Sequence, residues 1–130
     1  MFVDASALAA ILLSEPDADA LEERMRVSDT KLIISPLAIF ETVLAIAPKQ
    51  RLTIDQAGDT VRAYVELDMT VTPITAEIGR LAIAARARYG KGKGHRARLN
   101  IGDCFAYACA KAHAVPLLYK GDDFVHTDLA

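Results

Sequence analysis

The sequence predicts an α/β fold, a three-layer α/β/α sandwich with a central, mostly parallel sheet. Two observations carry this prediction. Four short apolar runs suited to strands recur along the chain, and segments with helical periodicity separate them. Crossovers of this length join parallel strands and place helices against the sheet. With 130 residues, of which 52% are hydrophobic, we expect a single domain over residues 1–130 with one well-buried core.

The strands and helices are expected to alternate along the whole chain. Strands are expected at residues 1–3, 31–35, 69–74 and 115–119. Helices are expected at residues 4–13, 17–27, 36–47, 53–67, 75–89 and 100–113. Capping residues such as Asp4 and Asn100 mark helix starts. Pro36 can open the third helix and Pro48 should close it, because proline cannot continue helical hydrogen bonding.

Composition and charge exclude some classes of protein. The formal net charge of -2 gives no global basic field for nucleic acid, although local patches can still bind it. The apolar run at residues 7–13 is far shorter than the ~20 residues of a membrane span, and no Lys or Arg precedes it as in a secretory signal. We therefore expect a cytoplasmic protein with no membrane segment. Cys104 and Cys109 are expected to be buried thiols.

Acidic residues follow two of the predicted strands. Asp4 comes directly after the first strand, and Asp122 and Asp123 follow the fourth after a glycine turn. If these strands are neighbours, the acids share the edge at which parallel sheets bind ligands. Asp103 enters in the first turn of the last helix, and Glu41 lies in the apolar stretch "IFETVL" of the third.

Taken singly, most of these acids have an ordinary structural interpretation. Asp4 can be a helix cap, Asp103 a first-turn acid favoured by the helix dipole, and Asp122 a turn former. Glu41 has no capping or turn role, so it faces either water or a cation. Taken together, converging carboxylates repel each other by about 4 kcal/mol per pair at 4 Å and an effective dielectric near 20. Mg²⁺ or Mn²⁺ would offset that repulsion, and such a site suits phosphodiester hydrolysis.

The chain resembles the PIN-domain ribonucleases and, within them, the VapC toxins of bacterial toxin–antitoxin pairs. The resemblance runs from end to end, through "MFVDASAL", "FETVLAI" and "LNIGDCFAYACAKAHAVPLLYKGDDF". It implies that Asp4, Glu41 and Asp103 bind the metal ion. The fourth acid falls within "GDDF", where Asp122 is slightly preferred and Asp123 stays open. Ser6 matches a small hydroxyl beside the site, with a second capping role as its alternative.

The same resemblance implies a metal-dependent endoribonuclease that acts on RNA through a metal-activated water. It also implies a homodimer and a small VapB-like antitoxin that covers the active site. Two rivals remain at this point. One is a non-catalytic PIN-fold interaction domain; the other is a receiver- or phosphatase-like Mg²⁺-binding α/β domain, for which neither "KLIISP" nor "MTVTPI" offers an acid.

A basic, glycine-rich loop precedes the helix that carries Asp103. Its cations are expected to contact the RNA backbone: Lys91, Lys93, Arg96 and Arg98. The alternative is a solvated flexible loop. His95 in the same loop is left outside the catalytic set, His113 and His126 lack partners at metal-ligand spacing, and Tyr107 is expected to pack rather than stack on a base.

Overall fold

The computed structural model describes residues 1–92 and 94–130 of the chain. It contains one four-stranded parallel sheet with strand order β3-β2-β1-β4. The strands are β1 (Phe2–Val3), β2 (Leu32–Ile34), β3 (Met69–Val71) and β4 (Leu117–Leu118). All four expected strands are present, and each is shorter than the apolar run that predicted it. The α/β prediction is therefore confirmed.

Six helices connect the strands. They are α1 (Ala5–Leu12), α2 (Ala18–Arg26), α3 (Pro36–Lys49), α4 (Ile54–Asp68), α5 (Ala76–Tyr89) and α6 (Ile101–Ala112). The first two crossovers move outward from β1 to β3, and the third returns past β1 to β4. Right-handed connections therefore place α1–α4 on one face of the sheet and α5 and α6 on the other.

The topology reverses direction at β1, which lies between β2 and β4. Phe2 pairs with Ile33 on one side and with Leu117 on the other, and the amide of Asp4 donates to the Leu118 carbonyl at 2.9 Å. The chain segments that leave β1 and β4 thus emerge side by side. In open parallel sheets this crevice at the carboxyl ends of the strands is the usual binding position.

Side chains cap every helix except α2, and the predicted caps Asp4 and Asn100 are among them. Ser35 caps α3 through a 3.1 Å bond from the Ala38 amide to its hydroxyl. The prediction that Pro48 closes this helix is wrong, because Pro48 lies inside its last turn and the helix continues to Lys49. Proline removes only the hydrogen bond to the Leu44 carbonyl. Leu44 lies on the exposed face, where water can replace that donor.

The hydrophobic core lies on both sides of the sheet. Phe2, Val3 and Leu118 are fully buried, as are Leu8 of α1 and Ile46 of α3. Burial of apolar side chains of this size contributes about 1.5–3 kcal/mol each, so the strand ends rest on a rigid support. Within the described ranges, no helix combines the length and the apolar composition that a membrane crossing needs.

Candidate active site

Asp4 lies at the point where β1 ends and α1 begins. It is the N-cap of α1, and its Oδ2 accepts hydrogen bonds from the Ser6 amide, at 3.0 Å, and from the Ser6 hydroxyl. Only 5% of its surface is exposed. Burial raises the pKa of Asp4, the Ser6 bonds oppose that rise, and the charge of Asp123 adds to it. Asp4 is therefore both a helix cap and a buried acid at the crevice.

Asp103 occupies the third position of α6 and forms a capping box with Asn100. The Asp103 amide donates to Asn100 Oδ1 at 2.9 Å, and the Asn100 amide donates to Asp103 Oδ2 at 3.0 Å. Burial raises the pKa of Asp103 to about 6, and the charges of Asp123 and Asp4 also raise it. The Asn100 bond and the cation of Lys91 act in the opposite direction. Its second oxygen, Oδ1, accepts no hydrogen bond from the described residues.

Glu41 projects from α3 and is half-buried against the start of α6. Burial raises the pKa of Glu41 to about 7, and the charges of Asp4 and Asp103 add to the rise. A Cβ placed on Gly102 would overlap Glu41 Oε2 and lie 2.7 Å from Glu41 Cδ. The absence of a side chain at residue 102 therefore allows the Glu41 carboxylate to lie next to Asp103. Of the two orientations left open by the sequence, the structure shows the one toward the acids.

The turn after β4 brings a fourth acid toward this group. Gly121 adopts a φ of 93°, in the region that favours glycine, and Asp122 and Asp123 follow it on the surface. Asp123 is the acid whose charge raises the pKa of both Asp4 and Asp103, whereas Asp122 is not among the groups that act on them. Asp123 is thus a stronger candidate than Asp122, the residue that the sequence slightly preferred.

The charges of the acids are only partly compensated, by Lys91 at Asp103. Among the described residues, Asp4, Glu41 and Asp103 form no ion pair, and no group of three or more His, Cys, Asp or Glu side chains is arranged to hold a metal ion. The carboxylates are nevertheless hard oxygen donors, and burial, followed by the charges of neighbouring acids, raises their pKa values. Their chemistry fits a hard divalent cation that retains several waters, such as Mg²⁺ or Mn²⁺.

The basic loop is anchored beside the acids at its two ends. The Lys91 amide donates to the Leu99 carbonyl at 3.2 Å, and the Leu99 amide donates to the Tyr89 carbonyl at 3.0 Å. Lys91, Arg96 and Arg98 are exposed. The prediction for Lys93 lies outside the described residues. Because the Lys91 charge lowers the pKa of Asp103, this end of the loop is close to the acidic group.

The remaining polar candidates have structural contacts. The Tyr107 hydroxyl donates to Asp128 at 2.7 Å, and its ring is buried, which confirms that it packs. His95 accepts a 3.0 Å bond from the Ala97 amide and contacts the edge of the Tyr89 ring. His113 caps the end of α6, and His126 is exposed. Cys104 and Cys109 are free, buried thiols, as expected.

Two residues near the acids were missed from the sequence. Gly102 could have been noticed because a glycine in a helix costs about 1 kcal/mol relative to alanine and usually has a packing reason. Lys120 lies between β4 and the acidic turn, and its amide donates to the Ser6 hydroxyl at 3.0 Å. A lysine in "YKGDDF" has no periodic pattern that reveals its partner, so only the structure could find this contact.

Comparison with known proteins gives a consistent family likeness. The family model described as "PIN domain" matches residues 1–129. A VapC ribonuclease from Rhizobium meliloti is 44% identical, and the match covers 98% of each chain. Ribonuclease VapC28 from Mycobacterium tuberculosis is 39% identical over 98% of this chain and 93% of its own.

A solved structure shares the fold at low sequence identity. It is the crystal structure of VapC20 from Mycobacterium tuberculosis, described as a sarcin-ricin loop cleaving toxin. The TM-score is 0.75, the identity is 14%, and the match covers 99% of this chain and 95% of that one. The parallel sheet and its helices therefore recur in a chain with few residues in common.

Proposed function

Since the chain belongs to the PIN-domain family and, within it, to the VapC ribonucleases, we propose that it is a metal-dependent endoribonuclease and the toxin of a toxin–antitoxin pair. One observation carries the proposal beyond the family likeness. Carboxylates that follow β1 or project from α3 and α6 meet at the carboxyl edge of the sheet with raised pKa values, and none of them forms an ion pair with a described residue.

In this proposal Asp4, Glu41, Asp103 and Asp123 hold the ion, which is Mg²⁺ or Mn²⁺, and Asp122 remains the alternative to Asp123. When bound, the ion supplies charge neutralisation at the phosphate and a water of lowered pKa for attack on phosphorus. The chain's own residues orient the ligands. Ser6 holds Oδ2 of Asp4, Asn100 holds Oδ2 of Asp103, and Gly102 leaves space for Glu41.

The basic loop supplies the RNA contacts of the proposal. Lys91, Arg96 and Arg98 are exposed and form no ion pair with the residues that the structure describes, and the Lys91 charge acts on Asp103. A cation there can hold the phosphate backbone next to the site of hydrolysis. Backbone contacts of this kind supply affinity and salt dependence, whereas base contacts elsewhere would choose the RNA.

The family assignment also supports proposals about partners. We propose a VapB-like antitoxin as the protein that covers the acidic crevice, a homodimer as the assembly, and the cytoplasm, where RNA is available, as the place of action. Residues 1–130 would form one PIN domain, which agrees with the length of the family match. The receiver- or phosphatase-like rival has no support, because β2 and β3 are followed by Ser35 and Thr72 rather than by acids.

The test is cleavage of a defined RNA by the purified protein. We expect cleavage with Mg²⁺ or Mn²⁺, none in excess chelator, and a loss of at least about 100-fold for Asp103→Asn. This substitution keeps a side-chain oxygen that can accept from the Asn100 amide, so the capping box can persist. An Asp103→Asn variant that cuts RNA at the wild-type rate would contradict the proposed mechanism. Binding of RNA without cleavage by the wild type would support the non-catalytic rival.

A further inference from the structure

Lys120 connects the acidic turn to a second, separate pair of acids. It follows β4 and precedes the glycine turn that carries Asp123. Its ammonium contacts Glu15 Oε2 and lies 3.2 Å from Asp17 Oδ1. Both acids belong to the short connection between α1 and α2, and all three side chains are partly shielded from solvent. One cation is thus held between two carboxylates, away from the acidic crevice.

The same ammonium could reach the crevice if it were released. The Lys120 amide donates to the Ser6 hydroxyl, which in turn donates to Asp4 Oδ2, so two hydrogen bonds link the Lys120 backbone to Asp4. A flexible stem of four methylene groups separates that backbone from the charge. Four neighbouring carboxylates that form no ion pair with a described residue would attract it, because opposite charges attract strongly where water is partly excluded.

The observed arrangement shows the ammonium directed away from those carboxylates. Lys91 is the cation that lowers the pKa of Asp103, whereas Lys120 is not among the charges that act on Asp4, Glu41 or Asp103. Hydrogen bonding to Glu15, with a further contribution from Asp17, raises the pKa of Lys120 and keeps it charged. The Asp17 Oδ1 atom is buried without a hydrogen-bond partner, so the ammonium is the charge that compensates it.

We propose that Glu15 and Asp17 sequester the Lys120 ammonium and thereby keep the cation position among Asp4, Glu41, Asp103 and Asp123 open for a divalent ion. The inference rests on the proposed metal-dependent function. In this account Glu15 and Asp17 are positioning residues, because they act through Lys120 and touch neither the ion nor the RNA.

The test measures Mn²⁺ affinity by calorimetry, independently of RNA cleavage. The double variant Glu15→Gln/Asp17→Asn releases the ammonium, and we expect its Mn²⁺ affinity to fall about tenfold or more. Adding Lys120→Met to that variant removes the competitor and should restore the affinity to within about threefold of the wild type. The Asp17 side chain makes no capping bond to α2, so its replacement leaves the helix start intact.

A matched control exists on α4. Arg62 lies between Asp59 and Glu66, at 2.9 and 3.8 Å, so Asp59→Asn/Glu66→Gln makes the same change in charge around one exposed cation. We expect this control to bind Mn²⁺ like the wild type. Circular dichroism melting of all variants checks that each is folded before its affinity is compared.

The outcomes separate this inference from the proposed function. The sequestration would be overturned if Glu15→Gln/Asp17→Asn bound Mn²⁺ with wild-type affinity, or if adding Lys120→Met did not restore the affinity. In either case the proposed function would stand as long as the wild type binds Mn²⁺ and cuts RNA. Lys120→Met alone should bind Mn²⁺ within about threefold of the wild type, and a loss as large as in the double variant would overturn it too. A wild type that neither binds Mn²⁺ nor cuts RNA would overturn both proposals.

Discussion

Asp4 and Asp103 each cap a helix and also belong to the acidic group. Asp4 accepts from the Ser6 amide at the start of α1, and Asp103 shares a capping box with Asn100. The capping geometry leaves Asp103 with an oxygen that accepts no hydrogen bond from a described residue. A replacement by alanine would therefore remove a cap, which costs about 1 kcal/mol, together with the charge. An isosteric amide such as Asp103→Asn removes the charge and keeps an oxygen for the cap, so it separates the two effects.

Gly102 provides a test that replaces none of the acids. Gly102→Ala should displace the Glu41 carboxylate and lower RNA cleavage by about 10-fold or more, since small misplacements at a catalytic group are costly. Nothing lies within 4 Å of a Cβ at Gly58 of α4. Gly58→Ala should therefore keep full cleavage and gain about 0.5–1 kcal/mol of stability from helix propensity. Equal cleavage rates in the two variants would contradict the packing of Glu41 on Gly102.

The raised pKa values of Glu41 and Asp103 predict a pH dependence of stability. Both are higher in the folded protein than in the unfolded chain, so the folded state binds more protons between about pH 4 and pH 7. The metal-free protein should lose stability as pH rises through this window, by about 2 kcal/mol after allowance for solvent screening. The Glu41→Gln variant should lose less stability over the same pH range. Denaturant titrations at several pH values measure the free energy of unfolding of both proteins. An equal pH slope in both proteins would contradict the raised pKa of Glu41.

At the scale of secondary-structure elements, local sequence patterns predicted the presence of each helix better than the residues at which it begins and ends. The apolar stripe predicted α4 at residues 53–67, and the structure shows Thr53 as its cap, with the Thr53 amide donating back to the Gln56 side chain. Strands were predicted too long, because an apolar run continues beyond the residues that pair. The end of α3 was predicted wrongly at Pro48, because the free-energy cost of a proline in a helix depends on whether the freed carbonyl of Leu44 reaches water. That exposure is a property of the tertiary structure.

The acidic group was predictable only in part, for a related reason. Asp4 and the acidic turn could be placed on one edge if β1 and β4 paired, and they do. The direction of Glu41 depends on the contact between α3 and α6, and the choice between Asp122 and Asp123 depends on the turn at Gly121. Neither contact is encoded in local periodicity. The family resemblance supplied Glu41, and the structure supplies the reason that it fits.

The role of the basic loop in RNA binding can be tested by the salt dependence of RNA affinity. If Lys91 and Arg98 each contact a phosphate of unpaired RNA, Lys91→Gln/Arg98→Gln should reduce the slope of log affinity against log salt by about 1.4. Affinity should be measured in Ca²⁺ or with Asp103→Asn, so that the RNA stays intact. Arg62→Gln on α4 provides the control and should leave the slope unchanged. If the double variant kept the wild-type slope, the loop would not contact the RNA backbone and would be an ordinary solvated loop.

At the scale of the whole molecule, the strand order explains why distant residues form one site. The reversal at β1 brings the segments after β1 and β4 together, and α3 and α6 deliver Glu41 and Asp103 to the same place. The acids lie at the edge of a sheet with a buried core, so they stay close together although their charges repel one another. A fold shared with a VapC structure at 14% identity shows that this fold tolerates extensive changes in sequence.

The most direct test of the ribonuclease assignment is the sequencing of RNA ends after induction of the wild-type chain and of Asp103→Asn in cells. Immunoblotting checks that the two proteins accumulate equally. The account predicts new RNA ends at a restricted set of positions with the wild type and their absence with Asp103→Asn. The same new ends with both proteins, or no new ends with a folded and abundant wild type, would contradict it.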